Sequence, residues 1–203
     1  MENKSINKSS ITLSIVAVVA LLTAVFGATF AYFRADTNLN NLEFNVALPS
    51  NNSTFSCNGT TVSLAVTPES MAEGVKGNLA GSQNGTLTVS YLSGTPSTNT
   101  ISCTYDIAYK WKSTSSEYMA PGSGKEFTWA VSGATTVSET QFVSKSSNEV
   151  NVKTGESISN ASTTVATTKT YTITVKYYNL ETDQSTQAGR SYIVDFYCKN
   201  IVC

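Results

Sequence analysis

The chain has 203 residues, a net charge of −1 and 13% charged residues, against about 25% in an ordinary soluble domain. Serine, threonine and asparagine fill the polar positions, as is typical of β-rich surface proteins. The absence of histidine excludes histidine-dependent catalytic triads and the HExxH zinc motif. The chain has no run of basic residues, which would be needed to indicate binding to nucleic acid. We therefore expect a protein that is not an enzyme and has no metal site, cofactor or nucleic-acid partner.

The N-terminal part of the chain is a membrane-targeting segment by its sequence. No charged residue occurs from Ser9 to Phe33, and Lys4 and Lys8 precede this stretch. A helix over residues 11–33 would be roughly 34 Å long, enough to span a bilayer. The segment is therefore a signal peptide or a transmembrane helix, and the membrane is a predicted partner.

The two lysines also predict the topology. Positive charge keeps the short N-terminal region, residues 1–10, in the cytoplasm. Residues 34–203 then form an extracellular domain at the cell membrane or in the secreted protein. Thr29 and Ala31 offer small residues for signal cleavage between Ala31 and Tyr32.

Alternation of apolar and polar residues is the main structural signal of the remaining chain. It occurs in the stretches 42–48, 62–66, 87–91, 101–111, 127–131, 171–177 and 194–198. Strict alternation is typical of half-buried antiparallel strands, and Asn-Gly and Pro-Gly pairs separate the stretches. We expect seven to nine strands in an all-β antiparallel sandwich, jelly-roll or immunoglobulin-like, preceded by one N-terminal hydrophobic helix.

Two stretches depart from this alternation. Residues 68–74 begin with Pro68, carry acids in the first turn and end at Gly74, which predicts one or two helical turns. Residues 144–168 are rich in Ser, Thr and Asn with scattered valines, and we expect weak strands or mobile loops there.

Four cysteines lie in the predicted extracellular domain: Cys57, Cys103, Cys198 and Cys203. An even number in an exported domain predicts two disulfides, with three connectivities open. The pairing Cys57–Cys103 with Cys198–Cys203 is the one we favour. Free buried thiols are the alternative, because Cys103 and Cys198 occupy inward positions of their strands. A zinc site would require a CxxC knuckle, which the chain lacks.

The aromatic residues Tyr105, Tyr109, Trp111 and Trp129 have two interpretations. They could stack on sugar rings, but they share strand parity with aliphatic residues and are expected in the core. Tyr178 breaks this parity and is expected at the surface.

The N-terminal region resembles that of the TasA/camelysin group of Gram-positive surface proteins. The similarity lies in Gly27–Phe33, in the following strand Leu42–Val46 and in the run Tyr171–Gln184. Signal peptides of that group are cut by a dedicated signal peptidase of the SipW type. The resemblance implies cleavage between Ala31 and Tyr32, a jelly-roll-like sandwich and a role in biofilm-matrix fibres. The protease activity ascribed to camelysins is not implied, because the chain has no histidine.

These observations predict an extracellular structural protein that associates with itself or with other surface proteins. It could be a fibre subunit that assembles by donor-strand exchange, with Leu42, Phe44, Val46 and Leu48 on the donor strand. The alternative is an anchored adhesin or carbohydrate-binding module. A pilin-like subunit is disfavoured, because no Gly-Glu cleavage signal precedes the apolar segment.

Overall fold

A computed structural model describes most of the chain from residue 43 onward. The described residues are 43–47, 53–66, 79–94, 101–121, 124–146, 148–180 and 184–203, with backbone only for 43–47 and 101. They belong to one compact unit, Asn41–Cys203. The hydrophobic segment 11–33 and the helical turns predicted at 68–74 lie outside the described residues.

The described part of the chain consists of ten strands and one turn of 3₁₀-helix at Ser185–Gln187. The strands are β1 Glu43–Ala47, β2 Thr54–Asn58, β3 Thr60–Ala65, β4 Leu79–Leu92, β5 Ile101–Trp111, β6 Phe127–Gly133, β7 Val137–Gln141, β8 Val150–Asn160, β9 Thr167–Tyr178 and β10 Ser191–Val202. The all-β class predicted from the alternation is confirmed.

The strands form two antiparallel sheets. One has six strands in the order β1-β2-β4-β9-β6-β7, and the other has four in the order β3-β10-β5-β8. Four of the pairings are nested within one another: β3 with β10, β4 with β9, β5 with β8 and β6 with β7. The chain from β3 to β10 is thus one long hairpin folded over on itself, and the β1–β2 hairpin extends one edge of the six-stranded sheet.

The core lies between the two sheets. In β9, Tyr171, Ile173, Val175 and Tyr177 are buried, and the threonines between them face outward. Rings from the two sheets meet in the core, for example Phe55 of β2 and Tyr105 of β5, whose centroids are 5.6 Å apart. The two sheets therefore pack face to face through the alternating apolar positions.

The strand β8 corrects the expectation of weak strands or loops at 144–168. It runs for 11 residues alongside β5. Polar residues at its inward positions hid the alternation, and each has a partner in the core. Tyr171 donates to the Glu156 carboxylate at 2.9 Å, and Asn160 donates its side-chain amide to the carbonyl of Tyr91 at 2.9 Å.

Candidate functional site

The predicted donor strand is the edge strand β1. It pairs with β2 over its whole length, from Glu43 opposite Asn58 to Ala47 opposite Thr54. In the described sheet its other side has no neighbouring strand. Phe44 and Val46 belong to β1, whereas Leu42 and Leu48 lie outside the described residues. An edge strand exposes one row of backbone N–H and C=O groups and can pair with another chain.

The two predicted disulfides are present, but the favoured pairing was wrong. Cys57 is bonded to Cys198 and Cys103 to Cys203, and no free cysteine occurs in the described residues. Cys198 lies on β10 and Cys203 directly follows that strand. Cys203 lies five positions after Cys198, which corresponds to roughly 17 Å along a strand, far beyond the Cα distance that a disulfide can bridge. Because β10 runs antiparallel to β5, it ends beside Thr104 and brings Cys203 to Cys103.

The disulfide Cys57–Cys198 joins the two sheets next to the candidate edge. Cys57 lies on β2, directly opposite Phe44 of β1, and its partner Cys198 lies on β10 of the other sheet. The β2 strand is thereby linked across the core to the four-stranded sheet, and the pairing described for β1 is with β2. Two structural disulfides are the chemistry of an oxidising, extracellular environment.

The aromatic residues considered for sugar stacking lie in the core, as expected. Tyr105, Tyr109, Trp111 and Trp129 are at most 4% exposed. The Trp111 indole donates to the carbonyl of Val143 at 3.2 Å, so its polar end is occupied within the protein. Tyr178 is half-buried on the outer face of the six-stranded sheet, with the Lys176 ammonium 6.0 Å from its ring centre.

A cleft of ≈ 350 Å³ opens beside the end of β5. It is lined by Lys110, Trp111, Ser113, Glu117, Lys145 and Ser146. The Lys145 ammonium donates to the Ser115 carbonyl at 2.6 Å and lies 3.7 Å from the Glu117 carboxylate. Lys145 thus holds the turn at Ser115 in place. Lys110 is the second cation in the lining of the cleft.

A buried carboxylate that the sequence did not reveal lies at the start of β6. Glu126 is 4% exposed, and its Oε1 atom accepts hydrogen bonds from the Tyr177 hydroxyl at 3.1 Å and the Gln184 amide at 2.8 Å. Gln184 in turn accepts from the backbone N–H of Leu180 at 2.8 Å. The cluster ties the β9–β10 connection to the sheet, and its hydrogen bonds supply the partners that a buried polar group needs. The only sequence signal is that Glu126 directly precedes an apolar strand.

The buried tyrosines predict that the fold loses stability in alkali. Burial raises the pKa of Tyr105 and of Tyr192 to about 12, and raises the pKa of Tyr118, Tyr171 and Tyr177 as well. Tyrosine in the unfolded chain ionises near pH 10. The stabilisation from neutral phenols is therefore complete below about pH 10 and is lost as pH rises towards the folded-state values.

Urea unfolding followed by fluorescence across this range should show a falling free energy of unfolding above about pH 10. Phenolate absorbance of the folded protein gives the control. If all tyrosines ionise near pH 10 while the sheets stay folded, the burial argument is wrong.

Three further observations concern metal ligands, membrane helices and the predicted cleavage position. No group of three or more metal-ligating side chains occurs there. None of the described residues forms a helix that is long and apolar enough to cross a membrane. The predicted cleavage position, Ala31 and Tyr32, lies outside them.

Comparison of the chain with protein-family models, with curated proteins and with solved structures finds no match.

Proposed function

We propose that this protein is an extracellular structural subunit that assembles into fibres by exchanging β1 between copies. The observation that carries the proposal is the position of β1 as an edge strand, paired on one side to β2. It is also the first described strand, so it can leave without threading the rest of the chain through the sheet. A copy that receives a neighbour's β1 pairs it with the same β2 edge.

Exchange replaces each β1–β2 contact within a chain by an identical contact between two copies. The net free energy of strand exchange is therefore small. Domain swapping of this kind is a low-cost route to association, and head-to-tail repetition gives an open filament. Within one chain the pairing has the advantage of a high effective concentration, in the millimolar range for a short linker. Filaments are therefore expected at high local concentration, as on a crowded cell surface.

The finer fold that accompanies this proposal is a jelly-roll. A jelly-roll is a double sheet of eight antiparallel strands that contains two Greek keys. The nested pairing of β3 to β10 supports it, since one long hairpin rolled into two sheets gives this connectivity. The β1–β2 hairpin is then an addition to the eight-stranded unit, which is consistent with a separable β1.

Delivery to the surface is part of the same proposal. Residues 11–33 would carry the domain 34–203 across the membrane as a signal peptide or an anchor, with residues 1–10 inside. Cleavage between Ala31 and Tyr32 would free the chain before β1, as in the TasA/camelysin-like arrangement. Support from the described residues comes from the two disulfides, which require an oxidising compartment to form.

An anchored adhesin or carbohydrate-binding module is the second candidate. The cleft near Lys110 and Lys145 favours it, because its size falls in the range of small-molecule sites. Its lining combines two lysines with the Glu117 carboxylate, two serine hydroxyls and the Trp111 ring, a set that offers hydrogen-bond donors and acceptors to the hydroxyl groups of a sugar.

The test of fibre assembly compares residues 32–203 with residues 49–203, which lack β1. The longer form should build filaments visible by electron microscopy at high concentration. The shorter form should stay monomeric and bind a synthetic peptide of residues 32–48, which fills the empty β2 edge. A peptide with Phe44→Asp is the control and should bind at least ten-fold more weakly, because a charge replaces an apolar strand position. If residues 32–203 and residues 49–203 both stay monomeric and the shorter form does not bind the peptide, the result would favour the anchored adhesin or carbohydrate-binding module.

A further inference from the structure

The outer face of the six-stranded sheet carries a regular field of hydroxyl groups. In register across β2, β4, β9 and β6, this hydroxyl face consists of the rows Ser56–Ser90–Thr168, Asn58–Thr88–Thr170, Thr86–Thr172–Ser132 and Asn84–Thr174–Ala130. Among these positions, the hydroxyl groups have no hydrogen-bond partner within the described part of the chain.

The hydroxyl face is uncharged, in contrast to the outer face of the other sheet. The four-stranded sheet places Asp106, Lys110, Asp195 and Lys199 at its outward positions. On the six-stranded sheet the charged residues at outward register positions border the face. Glu43 of β1 continues the row Asn58–Thr88–Thr170 at its β2 end, and Lys176, paired with Glu139 of β7, lies in the row beyond Thr174. The charged residues of the described strands are thus kept away from the centre of the hydroxyl face.

We infer that the hydroxyl face binds the same face of a second copy of this chain. A contact between two identical faces must be self-complementary. A hydroxyl group meets this condition because it donates one hydrogen bond and accepts others, whereas a face with one sign of charge would repel itself. Short side chains also allow two sheets to approach to about 10 Å, the ordinary spacing of stacked sheets.

The size of the face sets the strength of this contact. Three two-residue steps along the strands and three strand spacings across them give roughly 20 Å by 14 Å, or about 300 Å². A stable complex buries about 800 Å² on each partner. A single pair of faces is therefore too small to hold a dimer in dilute solution. Many pairs displayed side by side would add through multivalency, which is the situation on a cell surface or along a fibre.

The test mimics dense display with microspheres that carry residues 34–203 attached through an added C-terminal tag, so it does not require fibre formation. Beads with the unmodified domain should cluster. Thr170 lies near the middle of the face, and beads that carry Thr170→Lys should stay dispersed, as should beads that carry Thr170→Glu. When the two variants are mixed they should cluster again, because opposite charges now face each other.

The control is Ser102→Lys, an exposed outward position of β5 on the other sheet, which should cluster like the unmodified domain. Dispersed beads of the unmodified domain, or Thr170→Lys beads that cluster as well as it does, would overturn the inference. So would binding of the unmodified beads to a neutral polysaccharide surface in place of one another. Beads that carry residues 49–203, which lack β1, should still cluster. Such clustering would show that contact between hydroxyl faces does not depend on strand exchange, so either proposal can be wrong without the other.

Discussion

Replacing Phe127 by alanine should lower the free energy of unfolding by about 3–5 kcal/mol. Phe127 is fully buried and lies in the middle of the aromatic part of the core. Its ring centre is 4.6 Å from that of Phe142, 5.2 Å from that of Tyr192 and 5.8 Å from that of Trp111. These partners come from the four-stranded sheet and from the segment after β7, whereas Phe127 itself lies on the six-stranded sheet, so truncation leaves a cavity that no single element can close.

Urea unfolding of residues 34–203 measures this loss. Val165→Ala provides the control, since Val165 is 68% exposed and its truncation should change the free energy of unfolding by less than about 0.5 kcal/mol. A loss below about 1 kcal/mol for Phe127→Ala would mean that the two sheets do not share this core.

The double variant Cys57→Ala, Cys198→Ala should lose about 2–5 kcal/mol of stability and should also accept the β1 peptide poorly. The disulfide closes a loop with a sequence separation of 141 and so restricts the unfolded chain strongly. It also links β2 to β10 of the other sheet across the core. Without it, β2 still pairs with β4 and still continues through Gly59 into β3, but its side-chain link across the core is lost, so we expect its pairing edge to be held less firmly.

The matched variant is Cys103→Ala, Cys203→Ala. Its disulfide closes a comparable loop, with a sequence separation of 100, but joins β5 to the residue after β10 and does not involve a residue of β2. We expect a similar loss of stability with peptide acceptance retained. Equal loss of peptide binding in both variants would show that the effect is general destabilisation. Unchanged stability and unchanged peptide binding in both would show that neither disulfide has the role described here.

The sequence predicts the strands wherever the alternation is unbroken. In β9 and β5 the apolar residues fall on one parity, and the structure buries them. In β8, Glu156 and Asn160 occupy core positions that depend on Tyr171 and Tyr91 from distant strands. No local pattern contains those partners, so the strand could not be predicted.

The same limit explains the cysteines. Their number and exported context predict two disulfides, but the pairing depends on which strands become neighbours. Once β10 lies antiparallel to β5, Cys203 must meet Cys103 and Cys198 is left to meet Cys57 across the core. The Glu126 cluster is likewise a product of topology, because Gln184 reaches it only through the β9–β10 connection. The edge position of β1 also follows from the sheet order rather than from its residues.

The most direct test of strand exchange is a cross-link between copies at the β1–β2 register. Asn45 of β1 lies opposite Ser56 of β2. One preparation of residues 32–203 carries Asn45→Cys and another carries Ser56→Cys. The two are mixed under conditions of assembly and then oxidised. Neither variant can close this bond within one chain, so exchange predicts disulfide-linked heterodimers on non-reducing gels. Asn45→Cys mixed with Ser63→Cys, on the other sheet, should give none. If the register pair gives no heterodimers, while the double variant in one chain closes its internal bond fully, β1 stays in its own sheet and the exchange account is wrong.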